Sequence, residues 1–298
     1  MTNETTTPGA PLDLAIHSRR STATRPLAGF GPALQWGLRE HFRSAKLLRR
    51  LGIALALGFL GSLLVTRVPE RADGRDAVHR LWAMFDEHLL VLLLPLIALL
   101  IVGPMFSREQ RQRTLVYHLV RPIARTTLFL ARYLAGLLAA WVVATVLLLS
   151  TLFFARIELP ASVWLAMPAF AAAAMMALGA VYYVLSALFR RGLIVGLIYT
   201  FVIEGIVANL PGTIQKFSVG YFLKSLYHGM TDAAFAERSE QVARITREGR
   251  TIGEGITAAL LIPYEPPGTA ALALVAVAVA LLAIGAWRIA RRDFALKD

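Results

Sequence analysis

The chain has 298 residues, of which 57% are hydrophobic and 17% charged, with a mean hydropathy of +0.59 and a formal charge of +12. Soluble domains hold about 45–50% apolar and about 25% charged residues, so this composition calls for lipid around much of the chain. Cysteine is absent, which excludes disulfides, thiolate metal sites and cysteine nucleophiles together.

Residues 1–30 are rich in Thr, Pro and Gly and lack a sustained apolar run. They cannot bury enough surface to fold alone, and they read as a disordered cytoplasmic tail. Residues 31–50 read as an amphipathic helix in the membrane interface. At helical spacing Leu34, Leu38, Phe42, Ala45 and Leu48 share one side, while Arg39, Arg43, Lys46 and Arg50 share the other.

Six apolar stretches follow, at residues 51–66, 89–106, 134–154, 163–189, 192–210 and 269–287. A helix needs about 20 mostly apolar residues to cross the hydrocarbon. The first stretch is short and draws on Leu47 and Leu48, with Arg49 and Arg50 snorkelling. The fourth is long and tilts or extends beyond the bilayer. The expected fold is therefore all-α, a six-helix transmembrane domain over 51–298 with an N-terminal interfacial helix.

The positive charge follows this topology. With the N-terminus inside, the inner segments carry 20 of the 31 Lys and Arg residues and 6 acids, against 11 and 12 outside, and Glu204 alone lies within a span. The inner face is then +14 and the outer face −1, the asymmetry of a multi-pass inner-membrane protein with both termini cytoplasmic. Nucleic acid is not needed to explain the charge.

The segment 107–133 between the second and third spans is longer and more ordered in polarity than a plain connector requires. It holds Arg108, Arg111, Arg113, Arg121, Arg125 and Arg132, one acid, Glu109, and the apolar series Leu115, Leu119, Ile123. Such a segment can lie along the membrane surface with its basic face toward a partner, although inner arginines also bind anionic lipid. The outer segment 211–268 is the other long one. Phe217, Tyr221, Phe222 and Tyr227 give its start an interface-seeking character. Residues 232–250 read as a polar helix, and 256–262 as a re-entrant or surface-lying segment too short to cross.

Absences narrow the chemistry. There is no GxxxxGK[ST] loop, no HExxH and no G-x-S-x-G. The histidines His17, His41, His79, His88, His118 and His228 are scattered and read as surface residues. No enzyme toolkit is visible. Glu204 stands near mid-span, where an ionised acid costs roughly 2.5–3.5 kcal/mol. It belongs on a translocation path or subunit interface, or it hydrogen-bonds a hydroxyl such as Thr145 or Ser150, and Gly205 beside it suits close helix approach. Gly58, Gly61 and the run 171–174 favour close contact too, Pro95 and Pro168 interrupt the second and fourth spans, and Trp82, Trp164 and Trp287 read as interface anchors.

The pattern Glu109-x-x-x-Arg113-Thr114-Leu115-x-Tyr117-x-Leu119-x-Arg121-Pro122-Ile123-x-Arg125, ahead of the third span, resembles the coupling region of type-2 ABC transporter permeases. Arg113 stands where Gly is frequent in that family, and Arg132 where Lys is frequent. Two further segments are similar to a branch of the family: Tyr199 through Glu204-Gly205 to Pro211-Gly212 and Phe217-Ser218-Val219-x-Tyr221, and Arg291-Arg292-Asp293-Phe294 after the last span. The resemblance spans about residues 33–298.

It implies the membrane-spanning permease subunit of an ATP-driven exporter, paired with a second copy or homologue and with a cytosolic ABC ATPase dimer. ATP and Mg would sit on that ATPase, and this chain would bind no cofactor. Glu109, Arg111, Thr114, Leu115, Tyr117, Leu119, Arg121, Pro122 and Arg125 would then contact the ATPase. Two other readings stand beside it: a membrane scaffold or mechanical transmitter that conducts no solute, and a secondary transporter driven by protons through Glu204.

Overall fold

A computed structural model describes residues 29–42, 45–67, 89, 92–105, 124–156, 161–189, 191–210, 213–230 and 265–291. Among these there are eight α-helices and no strand. They are α1 (Phe30–Phe42), α2 (Ala45–Arg67), α3 (Leu94–Ile101), α4 (Arg125–Ala155), α5 (Ala161–Leu188), α6 (Gly192–Tyr199), α7 (Val219–Met230) and α8 (Pro267–Arg291). Helix α6 continues into a π-helical turn, Thr200–Ile206, and a 3-10 turn, Val207–Asn209; a second 3-10 turn, Thr213–Phe217, precedes α7.

Among the described residues, three helices are long and apolar enough to cross a membrane: Arg125–Ala155, Trp164–Leu188 within α5, and Pro267–Arg291. The third expected span is longer than its apolar stretch, because helix α4 already starts at Arg125. Its 31 residues reach about 46 Å, beyond a hydrocarbon core of about 30 Å. The extra turns are not bare: Thr127, Leu128, Phe129, Ala131 and Arg132 are all buried there. At the other end Arg156 takes up the left-handed conformation, φ 51°, and terminates the helix.

Helix α4 is the axis of the bundle, touching α1, α2, α3, α5 and α8, while α5 touches α3, α4, α6, α7 and α8. Polar tips zip these two together. Tyr133 Oη donates to Met176 O at 2.7 Å, Tyr183 Oη to Phe129 O at 2.7 Å, and Trp141 Nε1 to Pro168 O at 2.9 Å. Without water, a buried hydroxyl or indole N–H needs such a partner, and the rings bring apolar area as well.

The prolines behave differently from each other. Pro168 lies inside a continuous α5, whereas Pro95 sits in the first turn of α3, where its missing N–H costs nothing. Gly58 makes the expected close contact: a Cβ there would collide with Ser150 of α4. Ala171 and Ala174 are fully buried in the core. Helix α8 turns Leu272, Val275, Val279 and Ile284 outward, as a lipid-facing helix does, and Arg291 stacks over Trp287 at 4.4 Å near its end.

Helix α1 docks on α4 along a different line from the stripe read from the sequence. Its fully buried residues are Ala33, Gly37 and His41, whereas Leu34 and Leu38 are only half-buried and Phe42 is exposed. A Cβ on Gly37 would lie 2.7 Å from that of Ala135, so the absent side chain lets the helices touch. The small residues set the line of contact, because backbone approach is limited by the largest side chain between helices.

Candidate functional site

Of the proposed coupling residues, Glu109, Arg111, Thr114, Leu115, Tyr117, Leu119, Arg121 and Pro122 lie outside the described residues. Arg125 is described. It is half-buried and opens α4, directly after Ala124 in extended conformation (φ −62°, ψ 136°), and Leu128 N donates back to Ala124 O at 3.1 Å. The segment 106–123 therefore feeds straight into the helix that contacts most of the bundle.

Seven residues on from Arg125, Arg132 is wholly buried, its guanidinium 3.6 Å over the Trp36 ring and its Nη1 3.4 Å from Glu40 Oε2. Trp36 and Glu40 both belong to α1. A stacked ring face and an acid together compensate a desolvated cation. Nearby, Arg50 Nη1 meets His41 Nδ1 at 2.8 Å, and His41 Nε2 meets Met105 Sδ at 2.8 Å. Arginine can only donate, so Nδ1 accepts and Nε2 carries the proton toward sulfur: a neutral imidazole in one tautomer. His41 and His228 are both buried, contrary to the surface reading. The hydropathy of a window says nothing of which side of its helix a histidine occupies.

Glu204 sits on the π-helical turn and is 1% exposed. A π turn contains an extra residue and rotates the side chains that follow; here Phe201, Val202 and Ile206 face outward while Glu204 faces in. The turn is tied to α5 through Thr200, whose Oγ1 lies 2.8 Å from Tyr182 Oη and also donates to Gly196 O at 2.9 Å.

Four donors surround the Glu204 carboxylate. Oε1 accepts from Tyr199 Oη at 2.8 Å and from Val219 N at 3.3 Å; Oε2 accepts from Ser218 Oγ at 2.7 Å and from Gly220 N at 2.7 Å. Val219 and Gly220 open α7, so the carboxylate is seated on that helix's amide end, where the backbone dipoles favour negative charge. Neither Thr145 nor Ser150 is a partner; Ser150 Oγ donates to Leu147 O at 2.9 Å. The close-approach glycine is Gly220 rather than Gly205. A Cβ at Gly220 would lie 2.6 Å from Glu204 Oε2, whereas one at Gly205 would meet only Thr200 O, at 3.7 Å.

Ser218 and Gly220 carry the site alongside Glu204, and sequence reading did not assign them this role. A serine directly ahead of an apolar, aromatic run is an N-cap signal; what it could not tell is that an acid fourteen residues earlier takes the first amides of the helix and the serine hydroxyl as well. Among the described residues no cluster of His, Asp or Glu could hold a metal.

Helix α7 is too short, at 12 residues, to cross a membrane. It is buried rather than surface-lying, with Tyr221, Leu223, Leu226 and Tyr227 inside and Tyr227 5.6 Å from Phe170 of α5. Its far end meets the start of α8, where a Cβ on Gly229 would come within 2.8 Å of Pro267. Lys216 Nζ and Glu265 Oε1 pair at 2.6 Å on the surface, and this hydrogen bond raises the Lys216 pKa above its ordinary value. Residues 232–250 and 256–262 lie outside the described residues. Beside the Glu204 cluster an apolar cavity of about 420 Å³ is bounded by Tyr199, Ser218, Phe222, Leu274 and Leu281, with Lys216 also on its lining.

Residues 43–207 match the family described as ABC-2 family transporter protein. The match runs from the end of α1 through the basic segment and α4 to the π-helical turn carrying Glu204. Among curated proteins nothing matches the chain. With over half of its length matched, and with helices apolar enough to span a bilayer, the chain belongs to the ABC-2 family transporter proteins and is a membrane-embedded permease subunit of an ABC transporter.

Proposed function

We propose that this permease works as an exporter subunit in the inner membrane, with six spans and both termini cytoplasmic. It pairs with a second copy or homologue and receives force from a cytosolic ABC ATPase dimer through residues 107–133. Glu109, Arg111, Thr114, Leu115, Tyr117, Leu119, Arg121 and Pro122 form the contact, and Arg125 passes its movement into α4. ATP and Mg are bound by the ATPase, not by this chain. The observation that carries the reading is the family match over residues 43–207, which takes in the whole basic segment. The geometry supports it, because α4 begins at Arg125 and touches five other helices. A displacement at its base is thereby shared by the bundle as rigid-body motion.

Arg121→Glu, or deletion of residues 115–119, is expected to leave membrane insertion intact while separating ATP hydrolysis from movement of the bundle. The check is ATP hydrolysis by the co-purified ATPase in nanodiscs, beside labelling of single cysteines on each face. A deleted variant that inserts correctly and still couples hydrolysis to transport would overturn the proposal.

A further inference from the structure

We infer that Glu204 is a positioning residue: its carboxylate locks the outer helix α7 to the end of α6 so that the two move as one body. This deepens the permease reading by assigning the acid a mechanical task.

The assignment rests on what surrounds the carboxylate. Each oxygen receives one backbone amide, from Val219 or Gly220, and one hydroxyl, from Tyr199 or Ser218. The two amides are fixed in the backbone and can only donate, so they hold the carboxylate in one orientation. The neighbouring cavity is bounded by Tyr199 and Ser218, which stand between it and the buried acid, and Glu204 itself does not line it.

Both ends of the lock are anchored. On one side the π-helical turn is fixed to α5 by the Thr200–Tyr182 contact. On the other, α7 is a strut whose first turn rests on Glu204 and whose last turn abuts Pro267 of α8. The absent side chain of Gly220 admits the carboxylate to the amides. A side chain that receives four donors in a buried site is held from several directions at once, so a shift of the α6 end must carry α7 with it.

The absence of cysteine allows a clean distance measurement on the full chain in nanodiscs. Spin labels at Ile198→Cys on α6 and Lys224→Cys on α7 report the lock. A second pair, Leu130→Cys on α4 and Leu165→Cys on α5, reports the rest of the bundle. With Glu204 present, the α6–α7 distance distribution is expected to be narrow. In Glu204→Gln it roughly doubles in width while the α4–α5 pair is unchanged, and Glu204→Asp recovers part of the loss. Should Glu204→Gln disturb both pairs, Ser218→Ala decides, since it leaves the acid in place and removes one donor; selective broadening between α6 and α7 supports the lock. An unchanged α6–α7 distribution in either Glu204→Gln or Ser218→Ala overturns it. No ATPase is needed for this readout, so its failure is separate from any failure of the coupling proposal.

Discussion

The start of α4 and the end of α6 each bury an ionisable side chain, and they surround it by opposite means. Glu204 is received by the amides of a helix start and two hydroxyls, all within sixteen residues of it in sequence. Arg132 is received by the face of Trp36 and by Glu40, ninety-two residues away and 45% exposed. Amides at a helix start point one way and are held by the backbone, so a carboxylate seated there has little freedom. A guanidinium is a flat fork of donors that can slide over a ring and exchange acids. The Glu204 junction is thus held partly by fixed backbone amides, and the Arg132 junction by side chains.

Three substitutions sharpen or break this contrast. The largest effect is expected from Gly220→Ala, whose methyl would occupy the space of Glu204 Oε2. The oxygen sits at the end of a flexible side chain, yet moving it breaks bonds to Gly220 N and Ser218 Oγ, so the cost should be about 2 kcal/mol. Thermal unfolding in nanodiscs measures it, and a neutral result would mean that the Glu204 junction yields easily. Next comes Trp36→Ala, which removes the ring over Arg132 and should cost about 1–2 kcal/mol, with Trp36→Phe intermediate. Here loosening of α1 should be visible as faster proteolysis within residues 30–42. If α1 stays equally protected, stacking on Arg132 does not hold it. The smallest effect belongs to Glu40→Gln. Its pair is long and half-exposed, so less than about 1 kcal/mol is at stake, and the difference should vanish in high salt. A larger, salt-independent loss would show Arg132 to be as rigidly held as Glu204.

Much of the fold was legible because lipid enforces it. Apolar stretches had to become helices, since no other open structure satisfies the backbone in hydrocarbon, and α2, α4, α5 and α8 cover the stretches assigned to them. Glu204 was legible as a side chain in need of partners, because an acid in such surroundings needs compensation. Its partners were not. Thr145 and Ser150 were plausible hydroxyls on a neighbouring span, but the acid turns instead toward the chain that follows its own helix. That choice depends on the π turn and on α7 folding inward, neither of which leaves a periodicity to read. The same holds for α1: its apolar stripe was read through Leu34, Leu38 and Phe42, yet the contact runs through Ala33, Gly37 and His41, and Gly37 decides it by what it lacks.

By itself the sequence determined that this chain lives in a bilayer and that it resembles the permeases to whose family it belongs, because hydropathy and motif order are local properties of the chain. Only the tertiary structure decided which groups face the buried charges. Compensation of a charge is a matter of distance in space: Trp36 meets Arg132, and Gly220 meets Glu204, only once the helices have packed.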